Sequence, residues 1–268
     1  MTNNPLLQKV KTRETTLGLR ITSPDMVEVC AFLGFDWFMV DHMFTAIDWS
    51  GTKEMIRTGE AAGITPIVRV QANPWLGYDG HLGVEVTRAF GIGAQFVMVS
   101  HSCNKEIEQC LSVTGDWHRN AMTVHPFRSR DEWKQKTKDI AESNYVIPHA
   151  ESVGAFREIE QTLALPDVKL YFMAMTDASK VLTGSAEPDW YSKDLWKFIE
   201  NAVKSGEANG VMIGANTSYA YTMAEMRERV KILHGSGVKF IYIQSAPFLF
   251  QNAIGEFLSS VKSDLNLE

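Results

Sequence analysis

Eight short apolar, β-rich runs recur along the chain, at residues 16–21, 37–40, 65–70, 95–100, 145–148, 169–173, 210–214 and 239–244. Amphipathic segments of helical length lie between most of them, as at 24–33, 52–62, 83–90, 152–163, 190–205 and 222–234. The runs are continuously apolar rather than alternating, which is the pattern of a parallel sheet covered on both faces. Gly34, Gly63, Gly93 and Gly237 stand where a helix hands over to the next strand, so positive φ is predicted there. Eight βα units within 268 residues predict an α/β fold, a single-domain (β/α)8 TIM barrel over 1–268. The segment from about 246 to 268 reads as a C-terminal helical arm. A doubly wound open sheet is the alternative, and it would be favoured by GxGxxG after the first strand. That motif is absent, and GIGAQF precedes a strand instead of following one.

Charge and composition narrow the function. The net charge is −6 with Lys and Arg scattered, so neither the basic face of a nucleic-acid binder nor a basic membrane-surface stripe is present. The start, MTNNPLLQKVKTRE, lacks the apolar core of a signal peptide, and no apolar run approaches the roughly 20 residues that cross a bilayer. The three cysteines, Cys30, Cys103 and Cys110, make no CxxC pair and are odd in number. Reduced thiols in a cytoplasmic protein are expected, with Cys30 buried in MVEVCAFLGF.

In a barrel of this kind the chemistry collects at the C-terminal ends of the strands. Strand 2 ends in Asp41-His42, strand 3 near Arg69 and strand 4 in Ser100-His101. Strand 5 runs into His149 and Glu151, strand 6 into Thr176-Asp177, strand 7 ends near Asn216 and strand 8 near Gln244. Singly, each has a structural explanation. Glu151 suits the first turn of the helix that follows it, and Asp177 suits a cap near Ala178. Together they place two acids, an arginine and several polar groups at one end of one barrel.

Two carboxylates on adjacent strand ends suit a hard divalent cation, Mg²⁺ or Mn²⁺, with Co²⁺ a further candidate. Such a cation leaves coordination positions for a 2-keto acid and stabilises its enolate. A neighbouring arginine adds positive charge at the enolate oxygen or carboxylate.

The stretches GFDWFMVD and PIVRV, then a Glu on strand 5 and an Asp on strand 6, resemble the HpcH/HpaI class II aldolases. These are metal-dependent pyruvate aldolases of the phosphoenolpyruvate/pyruvate barrel superfamily. The resemblance implies a lyase that acts on a 4-hydroxy-2-keto acid, with a small 2-keto acid and an aldehyde as partners. It implies metal ligands at Glu151 and Asp177, and Arg69 at the pyruvyl oxygen. Asp41 matches the aspartate of a catalytic Asp-x-x-His pair. His149 stands where the family has a substrate-contacting glutamine, and Thr176 and Asp177 where backbone N–H groups meet the pyruvate carboxylate. It also implies a homo-oligomer, up to a hexamer, formed by exchange of the last helix.

The family histidine falls on Phe44 here, and Ala174-Met175 replaces a Gly-Pro. Proton transfer then belongs to His42, to His101 or His149, or to water. Alternatively the reaction is another one on the same enolate, such as decarboxylation of a 2-keto diacid. A non-catalytic barrel that binds keto acids is the reading of another class. Adjacent residues on an extended chain face opposite ways, so Asp41 and His42 are not expected to point together into the barrel. The segment holding His118, Arg119, His125, Arg128 and Arg130 is either an active-site loop or a solvated insertion. Trp75 and Tyr78 follow strand 3 and either wall the pocket or meet a neighbouring subunit.

Overall fold

Each of the eight apolar runs forms a strand, and the strands close in chain order into a parallel barrel. The computed structural model describes residues 4–71, 81–100, 103–112, 129–141 and 143–265. Within it lie β1 (Thr16–Arg20), β2 (Trp37–Asp41), β3 (Thr65–Gln71) and β4 (Phe96–Ser100). The ring continues through β5 (Tyr145–Ala150), β6 (Leu170–Met173), β7 (Met212–Asn216) and β8 (Phe240–Ser245), which pairs back with β1. Helices cover the outside, as anticipated for strands apolar on both faces.

Alternation along each strand divides the core into two layers. On β3, Ile67 faces the barrel interior while Val68 and Val70 join the layer under the helices; Met98 on β4 faces in, and Val97 and Val99 face out. The interior is packed with large rings. Trp37 stacks on Phe240 with centroids 4.4 Å apart. That stack fits because two neighbours are glycines. A Cβ at Gly18 would lie 2.1 Å from the Trp37 ring, and one at Gly214 would lie 2.5 Å from Phe240.

The N-terminal end of the barrel is closed by helix Pro5–Thr12, which places Leu6 and Leu7 against the interior layer. Asn4 caps this helix by accepting the Leu7 N–H, and Pro5 occupies its first turn, where a missing N–H costs nothing. With that end plugged, the polar strand ends gather at the other.

Capping residues account for most differences between expected and observed helix bounds. The helix expected over 52–62 is Trp49–Ala62, because the Asp48 side chain accepts the Gly51 N–H. The segment 190–205 becomes Lys193–Asn209, with Ser192 as its cap. The segment 152–163 divides at Glu158 into Val153–Arg157 and Ile159–Leu163. The Glu158 carboxylate accepts the Asn104 N–H at the start of helix Asn104–Ser112, 2.7 Å away. Gly34, Gly63, Gly93 and Gly237 all adopt positive φ.

Cys30 and Cys110 are buried, and all three cysteines are free thiols. Among the described residues no helix is long and apolar enough to cross a membrane. The last helix, Ala246–Asp264, buries Ala246 but leaves Phe250, Ile254, Phe257 and Leu258 largely exposed along its length.

Candidate active site

Strand register builds the centre of the site. Asp41 ends β2 directly opposite Arg69 on β3, so the two side chains start from adjacent backbone positions. Arg69 donates from Nε to Asp41 Oδ1 at 2.9 Å and from Nη2 to Oδ2 at 2.6 Å, a two-point ion pair. Asp41 also accepts from Arg20 Nη1 at 2.8 Å and from the Met43 N–H at 2.9 Å. Its side chain is fully buried and that of Arg69 nearly so. Burial alone would raise the Asp41 carboxyl. The bonds from Arg69, Arg20 and Met43 outweigh that and hold it below its ordinary value. Both Asp41 oxygens are therefore committed to orienting arginines.

The third guanidinium nitrogen carries the link to the acids. Arg69 Nη1 donates to Glu151 Oε1 at 3.3 Å. Glu151 directly follows β5, just before Ser152, whose hydroxyl caps helix Val153–Arg157, so Glu151 is not itself the cap. Its pKa is raised to about 7, first by burial and then by the negative charge of Asp177; Arg69 and the Ser100 hydroxyl oppose the rise. Asp177 sits in the first turn of helix Met175–Thr183, inside the helix instead of capping it at Ala178. Ala174 is the N-cap and gives no side-chain bond, and the Asn216 side chain accepts the Met175 N–H instead, at 2.8 Å. Thr176 shares a hydroxyl hydrogen bond with Ser218 at 2.8 Å.

His149 is held on the same wall. Its Nδ1 lies 2.9 Å from the Ser100 hydroxyl, its Nε2 lies 3.3 Å from Glu151 Oε1, and its ring meets the Phe172 edge. Arg69, His149, Glu151, Thr176 and Asp177 all line one cavity of about 540 Å³ at the C-terminal end of the barrel. Asp41 lies behind it. Phe44 stands at the rim, largely exposed, with its ring 5.1 Å from the Arg69 guanidinium carbon.

His42 is turned out of this cavity. Its N–H donates to the Arg69 carbonyl just past the end of β2, and its side chain leaves for the far face. There Nε2 lies 2.8 Å from the Thr52 hydroxyl and the ring stacks on Trp49; burial lowers its pKa. His101, Trp75, Tyr78, His118, Arg119, His125 and Arg128 lie outside the described residues. The cavity also contains residues that the strand-end reading passed over, notably Arg20, Lys180 and Tyr242. Arg20 ends β1 in LGLR and carries the same signal as Arg69 in PIVR.

The donor set on this wall fits a hard divalent cation. Two carboxylates share the cavity, burial and mutual repulsion destabilise their joint ionisation, and a cation between them would relieve both effects. Among the described residues no group of three or more His, Cys, Asp or Glu could close a metal site by itself. An open site with two protein ligands is what Mg²⁺ or Mn²⁺ accepts.

The buried ion pair has a measurable consequence. Asp41→Asn leaves two guanidiniums without their shared anion, so urea unfolding at pH 7 should show a loss of roughly 3–5 kcal/mol. The folded pKa of Asp41 is lowered, so its stabilisation is complete above the unfolded value of about 3.9 and is lost as pH falls through the folded value. The variant should therefore lose less stability than the wild type below about pH 4. An unchanged urea midpoint would contradict this role.

No family model matches the chain. Among curated proteins it is 26% identical over 211 residues to the 2-dehydro-3,6-dideoxy-6-sulfogluconate aldolase of Pseudomonas putida, covering 76% of this chain and 79% of that one. It is 24% identical over 200 residues to the 4-hydroxy-2-oxovalerate aldolase of Novosphingobium aromaticivorans, covering 72% and 73%. Among solved structures, the HpcH/HpaI aldolase from Desulfitobacterium hafniense superposes with a TM-score of 0.76 at 18% identity, over 96% of each chain. An HpcH/HpaI aldolase/citrate lyase family protein from Burkholderia cenocepacia gives a TM-score of 0.74 at 21% identity, over 97% and 99%. Those two likenesses concern the fold, and the aldolases bring the kinship in sequence. The chain is thus similar in sequence to two aldolases, and its barrel has the same fold as the two HpcH/HpaI structures.

Proposed function

We propose that this protein is a divalent-metal-dependent lyase that makes or breaks a C–C bond beside a pyruvate enolate, with a 4-hydroxy-2-keto acid as substrate. The observation that carries the reading is the placement of Arg69, pinned by Asp41, beside Glu151 and Asp177 in one cavity of an aldolase relative. Glu151 and Asp177 are the residues that would hold the cation, Mg²⁺ or Mn²⁺ with Co²⁺ as a further candidate. When bound it supplies Lewis-acid stabilisation of the charge that develops on the keto oxygen.

The remaining work falls to the chain. Arg69 cannot swing away, because two of its nitrogens are tied to a buried carboxylate, so its positive charge is preorganised where the enolate oxygen forms. Thr176 and Asp177 lie in the first turn of helix Met175–Thr183, where backbone N–H groups lack intrahelical acceptors and suit a carboxylate. His149, fixed by Ser100, presents an imidazole to the substrate. In the cleavage direction a proton leaves the 4-hydroxyl, the C3–C4 bond breaks, and its electron pair enters the enolate. Residue 44 cannot take that proton, being phenylalanine, and His42 faces Thr52. Of the described imidazoles, His149 is the one that lines the cavity.

The Phe44 substitution also favours a second reading, decarboxylation of an oxaloacetate-like acid, which yields the same enolate with no protein base. Pyruvate release from a 4-hydroxy-2-keto acid should be abolished by EDTA and restored by Mg²⁺ or Mn²⁺. Glu151→Gln should lower kcat by about 100-fold or more, and Arg69→Lys by a comparable factor. Turnover that is indifferent to EDTA and to Glu151→Gln would refute the metal site. Oxaloacetate decarboxylation without any aldol cleavage would select the second reading.

The exposed apolar face of helix Ala246–Asp264, with Phe250, Ile254 and Phe257, supports assembly of the chain into a homo-oligomer, up to a hexamer. Phe257→Asp should then lower the mass measured by light scattering behind size exclusion. A wild-type protein that elutes as a monomer would exclude the assembly.

A further inference from the structure

Breaking the bond is half of the proposed reaction. The enolate carbon, C3, must then gain a proton before pyruvate can leave, and synthesis removes that proton again. Aldol cleavage and decarboxylation leave the same need. A donor for this step has to face the cavity near Arg69, because C3 is bonded to the carbon that carries the enolate oxygen. Tyr242 meets that requirement.

The barrel itself, and no loop, places this side chain. Phe240, Tyr242 and Gln244 alternate onto the inner face of β8, and Tyr242 pairs in register with Gly18 on β1 and Asn216 on β7. Gly18 leaves room for the Trp37 ring. Tyr242 stacks on that ring with centroids 6.4 Å apart and meets Phe172 edge-on at 6.5 Å. The phenol is thereby held against two neighbours, and it lines the same cavity as Arg69 and Glu151. Its hydroxyl makes no hydrogen bond to any of the described residues. On the same wall the hydroxyls of Thr176 and Ser218 bond each other. A packed tyrosine usually finds a partner for its O–H, and here the open direction is the cavity, where a substrate supplies one.

The electrostatics suit an acid. Burial raises the phenol to about 12, so it keeps its proton at neutral pH. Arg20 and Arg69 oppose that rise, which means that they stabilise the phenolate left behind when the proton goes. We infer that Tyr242 is a further catalytic residue, whose hydroxyl passes its proton to C3 of the enolate. The inference rests on the lyase reading. In the step, the phenol O–H bond breaks and a C3–H bond forms from the enolate π electrons, while the enolate oxygen becomes the keto oxygen of pyruvate. The phenolate then takes a proton from water. In aldol cleavage that water has received the proton of the 4-hydroxyl, so the protons balance.

Tyr242→Phe removes the hydroxyl and keeps the packed ring. In D₂O the wild type, loaded with Mg²⁺, should exchange the methyl protons of pyruvate, read by proton NMR as loss of the methyl signal. The variant should exchange them at least about 100-fold more slowly. Calorimetry should show its affinity for pyruvate changed by no more than about tenfold. Given a 4-hydroxy-2-keto acid, the variant should release about one equivalent of aldehyde per site in a burst and then slow, as the enolate waits for a proton. A merely structural role would lower burst, exchange and binding together. Exchange by the variant at the wild-type rate, or loss of the burst along with binding, overturns the role of Tyr242 and leaves the lyase reading standing. Wild-type protein that neither exchanges pyruvate protons nor turns over a keto acid overturns the lyase reading and this inference together.

Discussion

The site depends on one buried ion pair. A guanidinium inside a barrel is costly to desolvate, and it is tolerated here because Asp41 accepts two of its N–H groups and is itself removed from water. The parallel register of β2 and β3 sets Asp41 and Arg69 side by side, so the pairing follows from the backbone and needs no adjustment of loops. What remains free to act on a substrate is the outer edge of Arg69, directed at Glu151. Arg20 is drawn into the same arrangement from β1, which makes Asp41 the point from which two cations are aimed.

The barrel explains why these groups meet at all. Its interior is filled by Trp37, Phe240 and their neighbours, and the N-terminal helix closes one end with Leu6 and Leu7. Polar residues on the inner face therefore have only the other end to occupy. There burial does chemical work: it keeps the Glu151 carboxyl near neutrality in company with Asp177, a condition that a divalent cation resolves.

Much of this was legible in the sequence because the signals are local. Continuous apolar runs identify the eight strands, and Gly34, Gly63, Gly93 and Gly237 mark helix ends by a backbone requirement that no side chain obscures. Strand alternation anticipated that Asp41 and His42 face opposite ways, and they do. The role of Asp41 was less accessible. The resemblance places it in a catalytic Asp-x-x-His pair, and only the fold reveals that Arg20 and Arg69 already occupy both of its oxygens. Lys180 was within reach by helical spacing: it lies three residues after Asp177 and four after Thr176, on the same face of helix Met175–Thr183, and lines the cavity with them. The N-terminal helix, by contrast, acquires meaning only from the barrel end it closes.

The central claim is that Glu151 and Asp177 together hold a divalent cation in front of Arg69. A crystal of the protein soaked with Mn²⁺ and measured at a wavelength where manganese scatters anomalously tests it most directly. The account predicts one strong anomalous peak within about 2.0–2.5 Å of a carboxylate oxygen from each of Glu151 and Asp177. A manganese peak elsewhere in the molecule, with none between these two carboxylates, would contradict it.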